Sequence, residues 1–275
     1  QLTAAVLATF TKYPRPSWVG EELDGTSGKK FGYFQQDAES FRRVAAATGL
    51  VERIPGVAWR RHPLASLVEV ADDICYLIVD LEDAARLGFV PYADAELLLG
   101  DLAGSSVYGG RLDRLHDPKE RLEYLRAKAI GRLLESAASV FLENEDAILE
   151  GRFDDALLSC SPLSIPLQAV LRVAKETIYV ARPALEIETA GFEVLGGLLE
   201  LFTRAVEAGA GAERMTTRER MLLRLLPDQF LGHDGEPDAD PYVRLLQVAD
   251  FVAGMTDSYA VDLYRKLKGI DLPSD

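Results

Sequence analysis

Residues 60–80 read RRHPLASLVEVADDICYLIVD, and this stretch decides the fold. Apolar residues recur in it and just beyond it at steps of three and four, which predicts a helix with one buried face. These residues are Leu64, Leu67, Ala71, Ile74, Ile78, Leu81 and Ala85. Pro63 suits the first helical position, because the N–H that proline lacks has no partner there, and Gly88 is a typical stop. The chain is therefore expected to be organised around a helix from about residue 63 to residue 87.

A line of polar side chains runs along a second face of this helix. Asp72, Tyr76 and Asp80 follow one another at four-residue steps, so they lie one helical turn apart. Glu69 and Asp83 extend the line. The ordinary interpretation of such a row is a solvated helix face.

The Asp72-Asp73 pair argues for a functional row instead. Asp is a poor helix former, adjacent like charges repel, and no Lys or Arg follows at the next turn. The pair is flanked by Val70, Ala71, Ile74 and Cys75, which predict a buried setting. A carboxylate in a buried setting needs a cation or a substrate donor, so we expect one near this pair.

Composition restricts the class of protein. The 275 residues are 48% hydrophobic and 27% charged, which is typical of globular proteins. A net charge of −14 argues against general binding to nucleic acid or to anionic membranes. No apolar run has transmembrane length. The two cysteines, Cys75 and Cys160, lie among apolar residues and predict reduced, buried thiols in a cytoplasmic protein.

The remaining pattern predicts an all-α chain, because strand-like alternation is almost absent. Helices are predicted at residues 1–10, 37–48, 92–102, 118–142, from 144, 167–179, 188–208, 217–226 and 242–268. The Arg182-Pro183 dipeptide predicts an interruption between two of them.

Two lysines flank a long connection between the first two predicted helices. Lys12 precedes it, Lys30 closes it, and its ends are expected to meet in space. Ordinary surface lysines are one interpretation. Two loop lysines near a carboxylate helix would also suit a polyphosphate beside a metal ion.

The histidines indicate turns and caps more than metal chemistry. In His116-Asp117, the Asp is expected to cap the helix that Pro118 begins, and His233-Asp234-Gly235 is expected to be a turn. His62 is expected to cap or pack beside Pro63. A phosphate loop, a zinc spacing or a Ser-His-Asp set is not evident, and this chain alone does not contain a complete metal site.

Several segments together carry a resemblance to a known family. They are EVADDICY at 69–76, DLEDA at 80–84, QLTAAVLATFTKYP at 1–14, KKFGY at 29–33 and GMTDSYA at 254–260. In this order they resemble the dGTP triphosphohydrolase family, a branch of the HD-domain phosphohydrolases. The segments span nearly the whole chain, which makes the resemblance more specific than any one of them.

The resemblance implies an all-α, HD-domain-like helical bundle. Residues 1–110 would be the remainder of the catalytic core. Residues 111–275 would be an α-helical C-terminal region that completes the base pocket and makes oligomer contacts. The implied reaction splits dGTP or another dNTP into deoxynucleoside and intact triphosphate, by attack of a metal-bound water on the α-phosphate. Mg²⁺ or Mn²⁺ would be the cofactor, and the protein would be a cytoplasmic homo-oligomer.

The resemblance also implies roles for particular residues. Asp72 would be a catalytic metal ligand, and Lys12 and Lys30 would contact the phosphates. Tyr76 would pack against the sugar, leaving little room for a 2′-hydroxyl, and Asp80 would accept from the 3′-hydroxyl.

The base pocket is implied at three further residues, each with an alternative explanation. Tyr179, Glu188 and Arg220 would contact guanine. Tyr179 could instead belong to a helix core, Glu188 to the acidic first turn of a helix, and Arg220 to a surface ion pair.

The chain departs from the family pattern at its start. The other metal ligands, a His and a His-Asp pair, belong to a segment that would precede Gln1, so this chain alone is expected to be inactive and to be the C-terminal part of a longer polypeptide. A hydrolase with weak base preference and a non-catalytic nucleotide-binding subunit remain alternatives, with a helical scaffold as a third. The family allows nucleic-acid effectors, which the net charge does not support.

Overall fold

The computed structural model describes residues 2–211, 215–232 and 234–270. The described chain is helical apart from turns and one small two-stranded sheet, so the predicted all-α class is confirmed. It divides into two compact units, Gln1–Ala181 and Arg182–Asp275. The predicted division after residue 110 falls inside the first unit, and its assignment to a catalytic core and a C-terminal region stays a prediction.

The first unit contains seven α-helices and a short hairpin among its described residues. The helices are α1 (Ala4–Phe10), α2 (Ala38–Thr48), α3 (Ala65–Arg86), α4 (Tyr92–Ala103), α5 (Pro118–Glu143), α6 (Glu145–Leu149) and α7 (Ser164–Val173). The antiparallel strands are β1 (Glu52–Ile54) and β2 (Ala58–Trp59). A π-helical turn, Ala174–Ile178, continues α7.

Helix α3 confirms the organising helix that the sequence predicts. It begins at Ala65, two residues after Pro63, and Gly88 follows its end with a φ of 80°. Ile74, Ile78 and Leu81 are fully buried and pack in one core with residues of α4, α5 and α7. The predicted buried face holds from Ile74 to Ala85, whereas Leu64 and Ala71 nearer its start are exposed.

A smaller cluster fixes α1 and α2 beside the hairpin. Tyr33 stacks on Phe41 at 4.4 Å between ring centroids, and Phe41 lies 5.5 Å from Trp59. Aromatic contacts of this kind add to the free energy gained from burial. The connection that carries the two predicted phosphate lysines is therefore anchored to this hydrophobic cluster.

The second unit has four helices among its described residues: α8 (Arg182–Ala210), α9 (Thr217–Leu223), α10 (Pro241–Ala253) and α11 (Asp257–Leu267). Phe202 of α8 is buried against Phe251 of α10, with ring centroids 5.1 Å apart. Their apolar neighbours form a core that belongs to this unit alone.

Two sequence predictions need correction. The predicted interruption between two helices is present but lies at residues 179–181, and Arg182-Pro183 begins α8, because proline is tolerated in a first helical turn. The predicted helix 242–268 is two helices, since α10 ends before Gly254 and the Thr256 side chain caps the start of α11.

The structure describes two of the three histidine segments for which caps or turns were predicted. Asp117 accepts from the Lys119 N–H at 2.9 Å and caps α5, as predicted. His62 Nδ1 lies 3.1 Å from Thr9 Oγ1 and 3.3 Å from the Leu64 N–H, which agrees with a packing and capping role. His233 lies outside the described residues.

Candidate functional site

Helix α3 places the predicted polar row on one open face. Four residues of helix advance about 6 Å, so Asp72, Tyr76 and Asp80 form a line about 12 Å long. Asp72 is exposed, the Tyr76 side chain is 64% exposed and Asp80 is partly buried. In the described part of the chain, Asp72 makes no hydrogen bond or ion pair, so its carboxylate is available to a ligand.

The expectation of a buried setting around the Asp72-Asp73 pair was wrong for Asp72. Only Val70 and Ile74 of the four flanking residues are buried, while Ala71 and Cys75 are exposed. Cys160 is also exposed, and both cysteines are free thiols, so the predicted burial of the cysteines was wrong as well. A helix turns by about 100° per residue, so Cys75 can face outward although its neighbour Ile74 is buried.

Asp80 is held by a residue from a distant part of the sequence. The Tyr179 hydroxyl donates to Asp80 Oδ2 at 3.0 Å. Burial, the hydrogen bond to Asp80 and its negative charge raise the pKa of Tyr179 to about 12, so the phenol is a donor at neutral pH. The second carboxylate oxygen, Oδ1, is left to accept from another group. Two residues that the family resemblance assigns to the substrate are thus in direct contact.

The π-helical turn after α7 positions this tyrosine. The Tyr179 N–H bonds to the carbonyl of Ala174, five residues back, at 2.9 Å. Single π-turns widen a helix locally and are frequent at functional sites. The prediction of a helix to Tyr179 is confirmed in extent, although the π-turn itself has no signal in the sequence.

An open cavity of about 370 Å³ lies beside the polar row. Asp73, Tyr76 and Tyr179 line it, together with polar groups that the sequence did not indicate and a floor of leucines. The unpredicted polar residues are Ser159, Ser164 and Gln168. A site with an apolar floor and a few polar groups is suited to a small organic ligand.

Lys12 reaches α3 from the end of α1. Its ammonium lies 3.0 Å from Glu69 Oε1, and Arg61 Nη1 lies 2.5 Å from Glu69 Oε2. Burial alone would lower the pKa of Lys12, but the hydrogen bond and charge of Glu69 raise it overall, so the ammonium is charged at neutral pH. The cation expected near the acidic row is present, and it binds Glu69 rather than Asp72.

The connection between the two lysines closes on itself, as predicted. The Gly32 N–H bonds to the Arg15 carbonyl at 3.1 Å, and Pro16 pairs with Tyr33. A Cβ at Gly32 would lie 2.3 Å from the Tyr13 carbonyl oxygen, so only glycine fits this approach. Lys30 is exposed, and within the described residues its ammonium makes no ion pair.

Asp73 is the carboxylate of the pair whose environment is unusual. Burial raises the pKa of Asp73, the charge of Lys12 opposes this, and the charges of Glu69 and Asp72 add to the rise. Its side chain lines the cavity next to Tyr76. The family resemblance gives Asp73 no role.

Glu188 and Arg220 lie in the second unit. Glu188 is exposed on α8, and Arg220 is exposed on α9. Within that unit, Glu188 borders a shallow apolar surface that includes Phe192 and Leu195. Their predicted contacts with guanine stay predictions.

A metal ion does not fit the described residues by themselves. In residues 2–211, 215–232 and 234–270, no group of three or more His, Cys, Asp or Glu side chains could hold one. Asp72 could offer a single carboxylate ligand, and its role as a metal ligand stays a prediction. No helix in these ranges is long and apolar enough to cross a membrane.

Part of the chain matches a known domain family. Residues 167–266 match a phosphohydrolase-associated domain, which covers the end of the first unit and most of the second. This part of the all-α chain is thus similar to a domain that is associated with phosphohydrolases.

Curated relatives narrow the class further. The chain is 40% identical over 99% of its length to a deoxyguanosinetriphosphate triphosphohydrolase-like protein of Synechocystis. It is 35% identical over 98% of its length to a protein of the same name in Listeria monocytogenes. The deoxyguanosinetriphosphate triphosphohydrolase of Klebsiella pneumoniae is 27% identical over 98% of this chain. These similarities confirm the resemblance, and the chain spans about 60% of the length of each relative.

Proposed function

We propose that the protein containing this chain hydrolyses dGTP, or dNTPs more broadly, to deoxynucleoside and intact triphosphate. The observation that carries the proposal is the row Asp72, Tyr76 and Asp80 on an open face of α3. Tyr179 holds one end of this row and an open cavity lies beside it. The names of the relatives support the same reaction.

The nucleoside would bind at the Tyr76 end of the row. The exposed Tyr76 ring offers an apolar surface for a deoxyribose, where a 2′-hydroxyl would be crowded. Asp80 would accept from the 3′-hydroxyl through its free oxygen, while the Tyr179 hydroxyl fixes the carboxylate. The base would extend toward the cavity that Tyr76 and Tyr179 line.

The phosphates would bind toward Lys12 and Lys30. Both ammonium groups belong to one closed connection, so they offer positive charge from a fixed loop. Lys12 has three N–H donors and uses one on Glu69, which leaves donors for phosphate oxygens.

A divalent metal, Mg²⁺ or Mn²⁺, is part of the proposal, with Asp72 as one of its ligands. The other ligands would come from residues outside the described ones. Homo-oligomerisation and a cytoplasmic location are likewise proposed on the family resemblance alone.

The reaction is tested with the longest protein that the gene encodes. It is incubated with dGTP and Mn²⁺, and deoxyguanosine and intact triphosphate are separated by chromatography. Both products are expected in equal amounts, and Asp72→Ala is expected to abolish them. Asp101→Ala is the control, because Asp101 is an exposed carboxylate on α4 and lies outside the polar row. Stepwise release of phosphate would contradict the proposal.

The non-catalytic alternative has a distinct result. The protein would bind dGTP without turnover, and Asp80→Ala would weaken that binding. Comparing all four dNTPs in the same assay separates a dGTP-specific enzyme from a broader hydrolase.

A further inference from the structure

Arg61 occupies a central position between α3 and the lysine-bearing connection. It lies four residues before α3, and its side chain is only 4% exposed. Its guanidinium contacts two carboxylates, Glu69 at 2.5 Å and Asp154 at 3.5 Å, and the Asp155 carbonyl at 3.4 Å. A planar guanidinium with five donors can hold two acidic groups in fixed directions, which a lysine ammonium does not.

The first contact leads to Lys12. Glu69 is 6% exposed and gives one carboxylate oxygen to Arg61 and the other to Lys12. Glu69 divides its single negative charge between Lys12 and Arg61, while Asp154 supplies a second negative charge beside Arg61. Arg61 therefore fixes the carboxylate that positions Lys12, and Glu69 is not paired with Lys12 alone.

The second contact leads to the turn before Lys30. Asp154 accepts from the Ser27 N–H at 3.2 Å and from the Ser27 hydroxyl at 3.1 Å. Gly25 has a φ of 77° and lies so close that a Cβ would meet Asp154 Oδ2 at 2.0 Å. The turn is thus held against Asp154 two residues before the Lys29-Lys30 pair.

Other arginines reinforce this turn without contacting Glu69. Arg53 donates to the Ser27 hydroxyl at 3.0 Å, and Arg15 donates to the Gly28 carbonyl at 2.9 Å. Arg61 differs from both, because its two carboxylate partners connect to the two different lysines.

We propose that Arg61 is a positioning residue for triphosphate recognition, acting through Glu69 on Lys12 and through Asp154 on the turn that leads to Lys30. This inference rests on the proposed function, in which these lysines bind the phosphates. Arg61 does not touch the substrate in this scheme. Its effect is to hold two phosphate-binding groups at a fixed separation from the polar row of α3.

The test measures two ligands separately, with inorganic triphosphate and deoxyguanosine as probes. Calorimetric titrations use the longest protein that the gene encodes, without added metal. Arg61→Gln is expected to weaken triphosphate affinity about tenfold, the loss typical of a misplaced charged contact, and to change deoxyguanosine affinity by less than about twofold. A general loss of structure would weaken both ligands.

The matched control is Glu82→Gln, which alters another buried ion-paired network on the same helix. It is expected to leave both affinities unchanged. Where Arg61→Gln does not give folded protein, Arg61→Lys is measured instead. It is expected to weaken triphosphate affinity by a smaller factor and again to leave deoxyguanosine affinity nearly unchanged.

A double-mutant cycle decides whether Arg61 acts through Lys12. The triphosphate loss caused by Arg61→Gln is expected to be smaller in a Lys12→Met background, because one of the two groups that Arg61 positions is gone. The inference would be overturned by any of three results. Arg61→Gln could weaken triphosphate binding equally in both backgrounds, it could weaken triphosphate and deoxyguanosine binding equally, or the wild type could fail to bind triphosphate. Since binding needs no turnover, a selective loss without hydrolysis would contradict the proposed reaction and leave the role of Arg61 standing.

Discussion

Helix α3 carries two buried glutamates that differ in what they hold together. Glu69 is 6% exposed and binds Lys12 and Arg61, which come from segments before the helix. Glu82 is 1% exposed and binds Arg86 of α3 and Arg126 of α5. Glu69 thus links α3 to the connection that bears the candidate phosphate lysines, whereas Glu82 links two core helices.

The partners of the two glutamates also differ in their access to water. Arg86 and Arg126 are 38% and 37% exposed, so either could turn its charge into solvent if Glu82 were lost. The Arg61 side chain is 4% exposed and has no such route. Removing the carboxylate is therefore expected to cost more free energy of unfolding at Glu69 than at Glu82.

The largest predicted effect tests this difference directly. Glu69→Gln is expected to lower the free energy of unfolding by about 3 kcal/mol, because Arg61 stays buried with only the longer contacts to Asp154 and to the Asp155 carbonyl. Glu82→Gln is expected to cost about 1 kcal/mol, because its partly exposed partners regain water. Urea denaturation at pH 7 measures both. Equal losses would show that partner burial does not control the cost.

The next prediction separates stability from ligand binding. Lys12→Met is expected to weaken inorganic triphosphate binding about tenfold, or about 1.4 kcal/mol, while Arg86→Met leaves it unchanged. Both variants leave their glutamate with one arginine partner. A weaker triphosphate affinity in Arg86→Met would remove the functional distinction between the two networks. Titration calorimetry provides the affinities.

A smaller effect is expected at the open end of the row. Tyr179→Phe removes the hydrogen bond to Asp80, which is partly exposed, and is expected to cost about 0.5–1 kcal/mol of unfolding free energy. Deoxyguanosine affinity is expected to fall, because the Asp80 carboxylate is no longer fixed. Triphosphate affinity, measured in parallel, serves as the internal control. A loss confined to triphosphate would contradict the assignment of Asp80 to the sugar.

The helical pattern of α3 could be predicted from the sequence, and its ion pairs could not. Steps of three and four residues indicate which side chains share a face, and they correctly placed Asp72, Tyr76 and Asp80 in one line. Arg126 lies 44 residues from Glu82, and Tyr179 lies 99 from Asp80. Such partners depend on how helices pack, which local periodicity does not specify.

Two sequence predictions were wrong because an apolar pattern was given more weight than another local signal. Cys75 was expected to be buried because its neighbours are apolar, yet it shares an exposed side of the helix with Ala71 and Val79, each one turn away. The continuous apolar pattern of residues 242–268 favoured one helix, although Gly254 and Thr256 are a typical stop and cap. For Gln168 and the two serines of the cavity, no motif was available.

The smallest predicted effect concerns Asp73, which lies between the Glu69 network and the polar row. Burial, assisted by the charges of Glu69 and Asp72 and opposed by Lys12, raises the pKa of Asp73 above its ordinary value of 3.8. A carboxyl group whose pKa is raised on folding favours the folded state below its unfolded pKa. That contribution is lost as pH rises through the folded pKa.

Asp73→Asn is therefore expected to increase the free energy of unfolding at pH 7, by less than any change above, because it removes a charge that burial disfavours. The gain should disappear toward pH 3, where the wild-type carboxyl group is protonated in both states. Urea denaturation from pH 3 to pH 7 measures it, with Asp83→Asn, an exposed position on the same helix, as the control. A destabilised Asp73→Asn at pH 7 would mean that attraction to Lys12 outweighs burial. The Glu69 network would then include Asp73, and the contrast with Glu82 would extend one turn further along the helix.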